Sequence, residues 1–330
     1  MKKLVSLVAP FYNESGNVGE FFRRVGEVAA ALPQYDFEVI AVNDGSRDNT
    51  WNELLDAHAT YPRVHVVDLS RNFGKEAALT AGLDRAMGDA VVPIDSDLQH
   101  PPELIADMLV QWEKGAEVVL AQRTDRVTDG RLQKLSATQF YRFHNKISDI
   151  HVPSNVGDFR LMDKAVVAAL RQLPENHRFM KGLFAWVGFR TVTIPYEHGP
   201  RGAGESSFNF WKLWNLALEG ITSFSTAPLK IWTYIGLTTS MFALLYATII
   251  IIKTMVAGVD VPGYASLIVS SMLIGGIQLI GIGVLGEYIG RIYHEVKRRP
   301  VYLVREARGH DAAPAQPQQP QQPRQSVAGH

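Results

Sequence analysis

Ala90-Val91-Val92-Pro93-Ile94-Asp95-Ser96-Asp97-Leu98-Gln99 is the stretch that decides the fold. An apolar run, residues 90–94, reads as a buried strand, and it ends in two carboxylates one residue apart. Two carboxylates at the C-terminal edge of a strand suggest a hard divalent cation held against a diphosphate. Alone, an Asp-Xaa-Asp triplet more often decorates a turn or a helix cap. Its surroundings give this one weight.

Three similar apolar runs precede it, at residues 4–9, 37–42 and 64–69. Helical patterns near residues 17–31, 49–59, 75–86 and 102–113 complete a β-α alternation. That alternation predicts an α/β domain, a mostly parallel sheet with helices on both faces and ligands at the carboxyl ends of its strands. Four polar segments stand at those ends: Pro10 to Glu14, Asn43 to Ser46, Ser70 to Lys75 and Asp95 to Gln99. Further along, the pattern gives a strand from Glu117 to Ala121 leading to Arg123, helices over 130–150 and from Asp163 to Leu173, and a strand from Arg190 to Pro195.

Beyond that domain the composition changes. The whole chain, 330 residues at 46% hydrophobic and 20% charged, has room for one substantial domain and something smaller. Ile231 to Ile252 and Val261 to Gly286 carry no charged side chain, and each meets the roughly 20 residues a bilayer core requires. Two membrane-spanning helices, over 228–253 and 261–290, are expected. Arg291, Lys297, Arg298, Arg299 and Arg305 follow the second span, whereas the connector holds only Lys253 against Asp260. By the positive-inside rule this basic segment, 291–309, lies in the cytoplasm, and two crossings return the N-terminal domain to the same side of an inner membrane. Just upstream, over 208–227, Phe210, Leu213, Trp214, Ala217, Leu218 and Ile221 follow helical spacing and predict an amphipathic helix in the bilayer interface. Gly286 and Gly290 form a small-xxx-small pair through which helices could pack into a homo-oligomer. The Pro/Gln-rich end, 310–330, predicts disorder.

Basic and acidic residues balance at 33 each, so no global field argues for a nucleic-acid partner. With no cysteine there is neither a disulfide framework nor a zinc-thiolate site. Lys2 and Lys3 precede a short apolar strand, not the core of a signal peptide. No P-loop is present, and Gly202-Ala203-Gly204 fails as a dinucleotide fingerprint because Ser207 stands at the third glycine position. His100 reads as a loop or helix-start residue.

The chemistry of the rim is that of a bound nucleotide diphosphate. Asp97 and Gln99 offer oxygen ligands suited to Mg²⁺ or Mn²⁺, and Asp95 can complete the shell. Arg123 and Arg201 are candidate cationic clamps on a leaving diphosphate. Asp44 can accept from a ribose hydroxyl or a base, and is equally natural as a turn residue in Asn43-Asp44-Gly45-Ser46.

Five motifs in order now carry a family resemblance: Ala9-Pro10-Phe11-Tyr12-Asn13-Glu14, Asn43-Asp44-Gly45-Ser46, Asn72-Phe73-Gly74-Lys75, Asp95-Ser96-Asp97-Leu98-Gln99 and Gly204-Glu205-Ser206-Ser207-Phe208. Together they resemble an inverting GT-A glycosyltransferase of the polyprenyl-phosphate branch, which includes dolichol-phosphate mannosyltransferases and bactoprenol glucosyltransferases. The match covers roughly residues 3–305, and Gly286-Glu287-Tyr288-Ile289-Gly290-Arg291 is similar to the bacterial two-span members. The resemblance implies a Rossmann-like GT-A catalytic domain over 1–207 that moves one hexose from a nucleotide sugar to a polyprenyl phosphate. It implies nucleoside contacts at Pro10, Tyr12, Glu14 and Asp44, and a metal and diphosphate site at Asp95, Ser96, Asp97 and Gln99. It also implies phosphate contacts at Arg123 and Arg201, and a catalytic base or substrate-positioning group at Asp158. Ser207 departs from the lysine common in relatives after Gly-Glu-Ser.

Residues 179–186 resemble the bacterial glucosyltransferase branch and favour UDP-glucose as donor, with GDP-mannose, UDP-N-acetylglucosamine or an amino sugar as alternatives. A processive synthase would need more helices and a Gln-x-x-Arg-Trp motif, which is absent. A transporter or flippase subunit would have no evident need for Asp95, Asp97 and Gln99 beside Arg123, and a membrane scaffold would be recognised by loss of metal-dependent nucleotide binding.

Overall fold

The computed structural model describes residues 2–123, 156–173, 175, 178, 180–196, 227–257 and 263–309. The helix expected over 130–150, all but the last residue of the interfacial helix, the glycine-rich turn with Arg201 and the tail 310–330 lie outside the described residues.

The elements run β1 (Lys3–Phe11), α1 (Val18–Ala31), β2 (Tyr35–Asn43), α2 (Thr50–Thr60), β3 (Val64–Leu69), α3 (Lys75–Leu83), β4 (Ala90–Pro93), α4 (Leu104–Glu113), β5 (Val118–Arg123) and β6 (Val156–Asp163). Then follow α5 (Lys164–Arg171), α6 (Met180–Trp186), β7 (Thr191–Tyr196), α7 (Ala227–Ala257), α8 (Tyr264–Val296) and β8 (Val304–Arg308). The strands form one sheet in the order β7-β5-β6-β4-β1-β2-β3-β8. β1 pairs in parallel with β2 and β4, β2 with β3, and β5 with β7. β6 runs antiparallel between β4 and β5, and β8 antiparallel along β3.

The continuous apolar runs are buried on both faces, as a helix-covered parallel sheet requires. Along β1, Val5, Leu7 and Ala9 point into a core shared with Phe21, Phe22 and Val25 of α1 and Ile105, Met108 and Leu109 of α4. Val8 points the other way, into a second core with Ile40, Val42, Leu79 and Leu83. Period-two alternation in the strands thus supplies two apolar layers, the first covered by α1 and α4 and the second by α3, α5 and α6.

The four rim segments are fixed to one another. Asn13 donates its backbone N–H to Ser46 Oγ at 3.0 Å and accepts from Arg47 N at 2.9 Å, joining the first segment to the second. Each segment holds one residue in the left-handed region: Asn13 (φ 54°), Gly45 (63°), Gly74 (97°) and Leu98 (52°). Gly45 cannot carry a side chain, because a Cβ there would strike the backbone of Arg71 and Asn72 in the third segment.

The structure adds three features to the sequence reading. Residues 156–163, which carry Asp158, form a strand that their apolar pattern had not indicated. The expected spans are the helices α7 and α8, but among the described residues one stretch, Leu273–Val296, has both the length and the mean hydropathy (1.5) for crossing a membrane. The basic segment 291–309 carries structure of its own. α8 continues through Arg291, supported by the Glu287–Arg291 ion pair one turn apart at 3.1 Å, and β8 then covers the edge of β3. Arg305 donates to the buried Asp68 at 3.1 Å and to the Ser70 carbonyl at 2.7 Å, while the Tyr302 hydroxyl donates to Asp84 at 2.8 Å.

Two outcomes are expected from thermal unfolding of the purified full-length protein. Gly45→Ala forces either a strained backbone or a parted rim and destabilises by about 1–3 kcal/mol; an unchanged midpoint would remove the argument for close approach. Arg305→Ala leaves Asp68 with one partner fewer and destabilises by about 1–2 kcal/mol, discounted because Arg305 is exposed, whereas ending the chain at Gly309 leaves the midpoint unchanged.

Candidate active site

The rim segments enclose an open cleft of about 250 Å³ lined by Pro10, Phe11, Tyr12, Glu14, Asp44, Asn72, Gly74, Lys75, Asp95, Ser96 and Asp97. Seven of the residues singled out from the sequence therefore converge: Pro10, Tyr12, Glu14, Asp44, Asp95, Ser96 and Asp97. Gln99 is exposed beside them, and its backbone N–H donates to Asp97 Oδ1 at 3.1 Å. Arg123 ends β5, opposite Tyr196 of β7; its side chain, and the whole of Arg201, lie outside the described residues.

Asp44 lines the cleft and also holds it together. Its Oδ1 accepts from Phe73 N at 2.7 Å and its Oδ2 from Gly74 N at 2.9 Å. Burial pushes its pKa above the ordinary carboxylate value, against the pull of those two N–H groups and of Arg71. The turn role belongs to its neighbour: Asn43 Oδ1 accepts from Ser46 N at 3.3 Å, and Asn43 Nδ2 donates to Asp68 at 2.7 Å.

Asp158 reaches the cleft by the reversal of β6. The antiparallel pairing of Ala90 with Asp163 and Val91 with Met162 runs the start of β6, with Asp158, toward the end of β4. The carboxylates of Asp95 and Asp158 meet the same lysine. Lys75 stands between them, its Nζ 2.7 Å from Asp95 Oδ1 and 3.0 Å from Asp158 Oδ2. Burial opposes its charge, but Asp158 and Asp95 prevail and hold the ammonium above the ordinary lysine value.

Behind Asp158 on β6, the buried Arg160 places its guanidinium 4.0 Å over the Phe184 ring and donates to the Gly157 carbonyl at 2.8 Å. Burial lowers its pKa to about 10, with Asp158 and Glu76 pulling the other way, so it remains a cation at neutral pH. His100 is part of the wall: its ring stacks on Phe159 (centroids 5.2 Å apart) and its Nδ1 lies 2.7 Å from the Tyr196 hydroxyl.

Among the described residues no three His, Cys, Asp or Glu side chains group as a metal cage. Asp95 and Asp97 at the cleft fit a lesser requirement, that of a Mg²⁺ or Mn²⁺ ion which keeps water, takes substrate phosphate oxygens and needs one or two carboxylates.

Lys75 is the residue to which the sequence reading gave no role. A signal for it exists: it is the first residue of α3, where the helix dipole disfavours a cation, so a lysine there implies carboxylate partners elsewhere in the fold.

Comparison with known proteins agrees with this geometry. Residues 6–171 match glycosyl transferase family 2. The chain is 52% identical over 303 residues to the SfII prophage-derived bactoprenol glucosyl transferase of Shigella flexneri, covering 92% of this chain and 98% of that one. It is 49% identical over 312 residues to an uncharacterized glycosyltransferase of Synechocystis, covering 94% of this chain and 98% of the relative. The crystal structure of mannosyl-3-phosphoglycerate synthase from Rubrobacter xylanophilus aligns with a TM-score of 0.46 at 19% identity, over 71% of this chain and 75% of its own. With an acidic cleft at the strand ends of a GT-A sheet and two long relatives near half identity, the chain belongs to glycosyl transferase family 2 and is a glycosyltransferase.

Proposed function

We propose that this enzyme transfers a single hexose from a nucleotide sugar, UDP-glucose by preference, to a polyprenyl phosphate such as undecaprenyl phosphate at the cytoplasmic face of the inner membrane, with inversion at the anomeric carbon. The observation that carries this reading is the return of the chain to the cleft-bearing sheet directly after a membrane-length helix. Leu273–Val296 is unburied, and a few residues later β8 pairs with β3. If that stretch crosses the bilayer, a second crossing must lie between β7 and α8 for β8 to reach β3. α7, with 31 residues and so roughly 46 Å long, exceeds the ~30 Å hydrocarbon core. Its exposed Ile231, Tyr234, Leu237, Phe242, Leu245 and Ile249 suit lipid. Both helices thus support a two-span anchor, with the cleft beside the headgroups where a lipid phosphate arrives. Gly286 and Gly290 have open space where a Cβ would stand and could admit a helix of a second copy.

In this reading the rim residues divide the work. Tyr12, 43% exposed at the cleft, offers a face on which a nucleobase can stack, with Pro10, Glu14 and Asp44 around the ribose. Mg²⁺ or Mn²⁺ at Asp97, with Asp95 and Gln99, would supply positive charge to the leaving diphosphate, which Arg123 and Arg201 also serve. An acceptor phosphate oxygen attacks the anomeric carbon from the face opposite the diphosphate. The new C–O bond forms as the old one breaks, and its electron pair leaves with the nucleoside diphosphate. The acceptor is already anionic at neutral pH, so Asp158 orients acceptor or sugar hydroxyls more than it removes a proton. The bactoprenol glucosyl transferase of Shigella flexneri, 52% identical, supports both the lipid acceptor and glucose.

The test incubates purified protein with undecaprenyl phosphate, Mg²⁺ or Mn²⁺ and a panel of UDP- and GDP-sugars, and follows diphosphate release and the lipid product by mass spectrometry. A glycolipid from UDP-glucose is expected, abolished by chelation of the metal; absence of product from every donor overturns the reading. Asp97→Asn should fold normally and lose at least about a hundredfold in kcat, and wild-type turnover in that variant would remove the metal assignment.

A further inference from the structure

We infer that Lys75 is the group that receives the phosphate of the acceptor, held for that task between Asp95 and Asp158. The inference rests on the lipid-phosphate reading above. An ammonium has three N–H donors. Two are taken, by Asp95 Oδ1 at 2.7 Å and Asp158 Oδ2 at 3.0 Å. Among the described residues nothing takes the third, and the side chain is 47% exposed where it lines the cleft.

The charges around it explain why a cation is needed at that spot. Even with a metal ion on Asp95 and Asp97, a phosphate approaching Asp158 meets a carboxylate that repels it unless a cation stands beside it. Among the described residues that line the cleft, Lys75 is the one cation. Arg160 is close in sequence to Asp158 but faces inward, 5% exposed against Phe184 and the Gly157 carbonyl. Lys75 neutralises Asp158 and, through its third N–H, holds an incoming phosphate oxygen within a hydrogen bond of the group that also touches Asp158. A lysine, a compact point charge with donors in three directions, suits two carboxylates and one phosphate better than a planar guanidinium does. Its position carries a cost consistent with function over stability: it opens α3, where the dipole disfavours a cation.

A purely structural lysine would hold the two carboxylates in place, and a donor-binding lysine would grip the nucleotide diphosphate; binding measurements separate these roles. Full-length wild type, Lys75→Met and Lys75→Arg, in detergent with Mn²⁺, are titrated first with UDP, then at saturating UDP with farnesyl phosphate and with farnesol. Lys75→Met is expected to weaken farnesyl phosphate by about tenfold or more and to leave UDP within about threefold, with farnesol unchanged in all three proteins. Lys75→Arg should recover part of the phosphate affinity. In turnover, Lys75→Met should raise the acceptor KM more than the donor KM. Farnesyl phosphate bound equally by wild type and Lys75→Met overturns the assignment while leaving the function standing. A loss of UDP affinity larger than that of farnesyl phosphate overturns it in favour of the donor or structural role. A wild type that neither binds nor glycosylates a lipid phosphate overturns the acceptor reading and this assignment with it.

Discussion

Everything at the cleft depends on the carboxylate of Asp44 and the two backbone N–H groups it accepts. Those bonds, from Phe73 and Gly74, fix the turn after β3 against the turn after β2. Gly74 then leaves its left-handed conformation directly into α3, so the position of Lys75 follows from the clamp one residue upstream. A buried carboxylate is a costly clamp, and burial does raise the Asp44 pKa. Each carboxylate oxygen takes one of the two N–H groups. One residue thus lines the cleft and sets the reach of the lysine toward Asp95 and Asp158.

The opposite side of the same turn is secured from the far end of the chain. Ser70 donates its N–H to the Leu303 carbonyl at 2.8 Å and accepts from Arg305, which also meets Asp68. Asp68 in turn accepts from Asn43, the neighbour of Asp44. The strand that follows α8 is therefore wired, by one buried carboxylate and one amide, to the turn that lines the cleft. Where α8 is a membrane helix, the height and tilt of the cleft over the bilayer are set by this short connection rather than by a loose tether. That matters for a reaction whose two substrates come from water and from lipid, because orientation of the acceptor is what the active site must supply.

The first four strands and the rim were legible in the sequence for a physical reason. A strand buried on both faces is a continuous apolar run, and β1 through β4 have one each, ending where polar residues begin. β6 and β8 lack that signature. In Val156-Gly157-Asp158-Phe159-Arg160-Leu161 one face of the strand carries a carboxylate and a buried guanidinium, so charged side chains interrupt the apolar pattern that marks a strand. β8, Val304-Arg305-Glu306-Ala307-Arg308, is a charged edge strand, the composition with which proteins protect an edge, and by itself it reads as tail. Lys75 was hidden for another reason: its partners come from β6 and the end of β4, and no local pattern reports a contact made through the sheet.

The reversal of β6 is what makes the site catalytic in form. In a parallel strand at that place, the residues nearest the rim would be the last of the strand, adjoining α5; running antiparallel, β6 brings its beginning to the rim instead, and the Asp163 cap of α5 falls at the other edge, accepting from Ala165 N at 2.9 Å. The direction that puts Asp163 beside Ala90 runs Asp158 toward the end of β4, where one lysine meets both it and Asp95. Both acids meet the same lysine, at 2.7 Å and 3.0 Å, so their charges are compensated before any substrate arrives. The fold that gathers the two acids also holds the lysine between them, which is why the residue that compensates their charge is well placed to meet an anion entering the cleft.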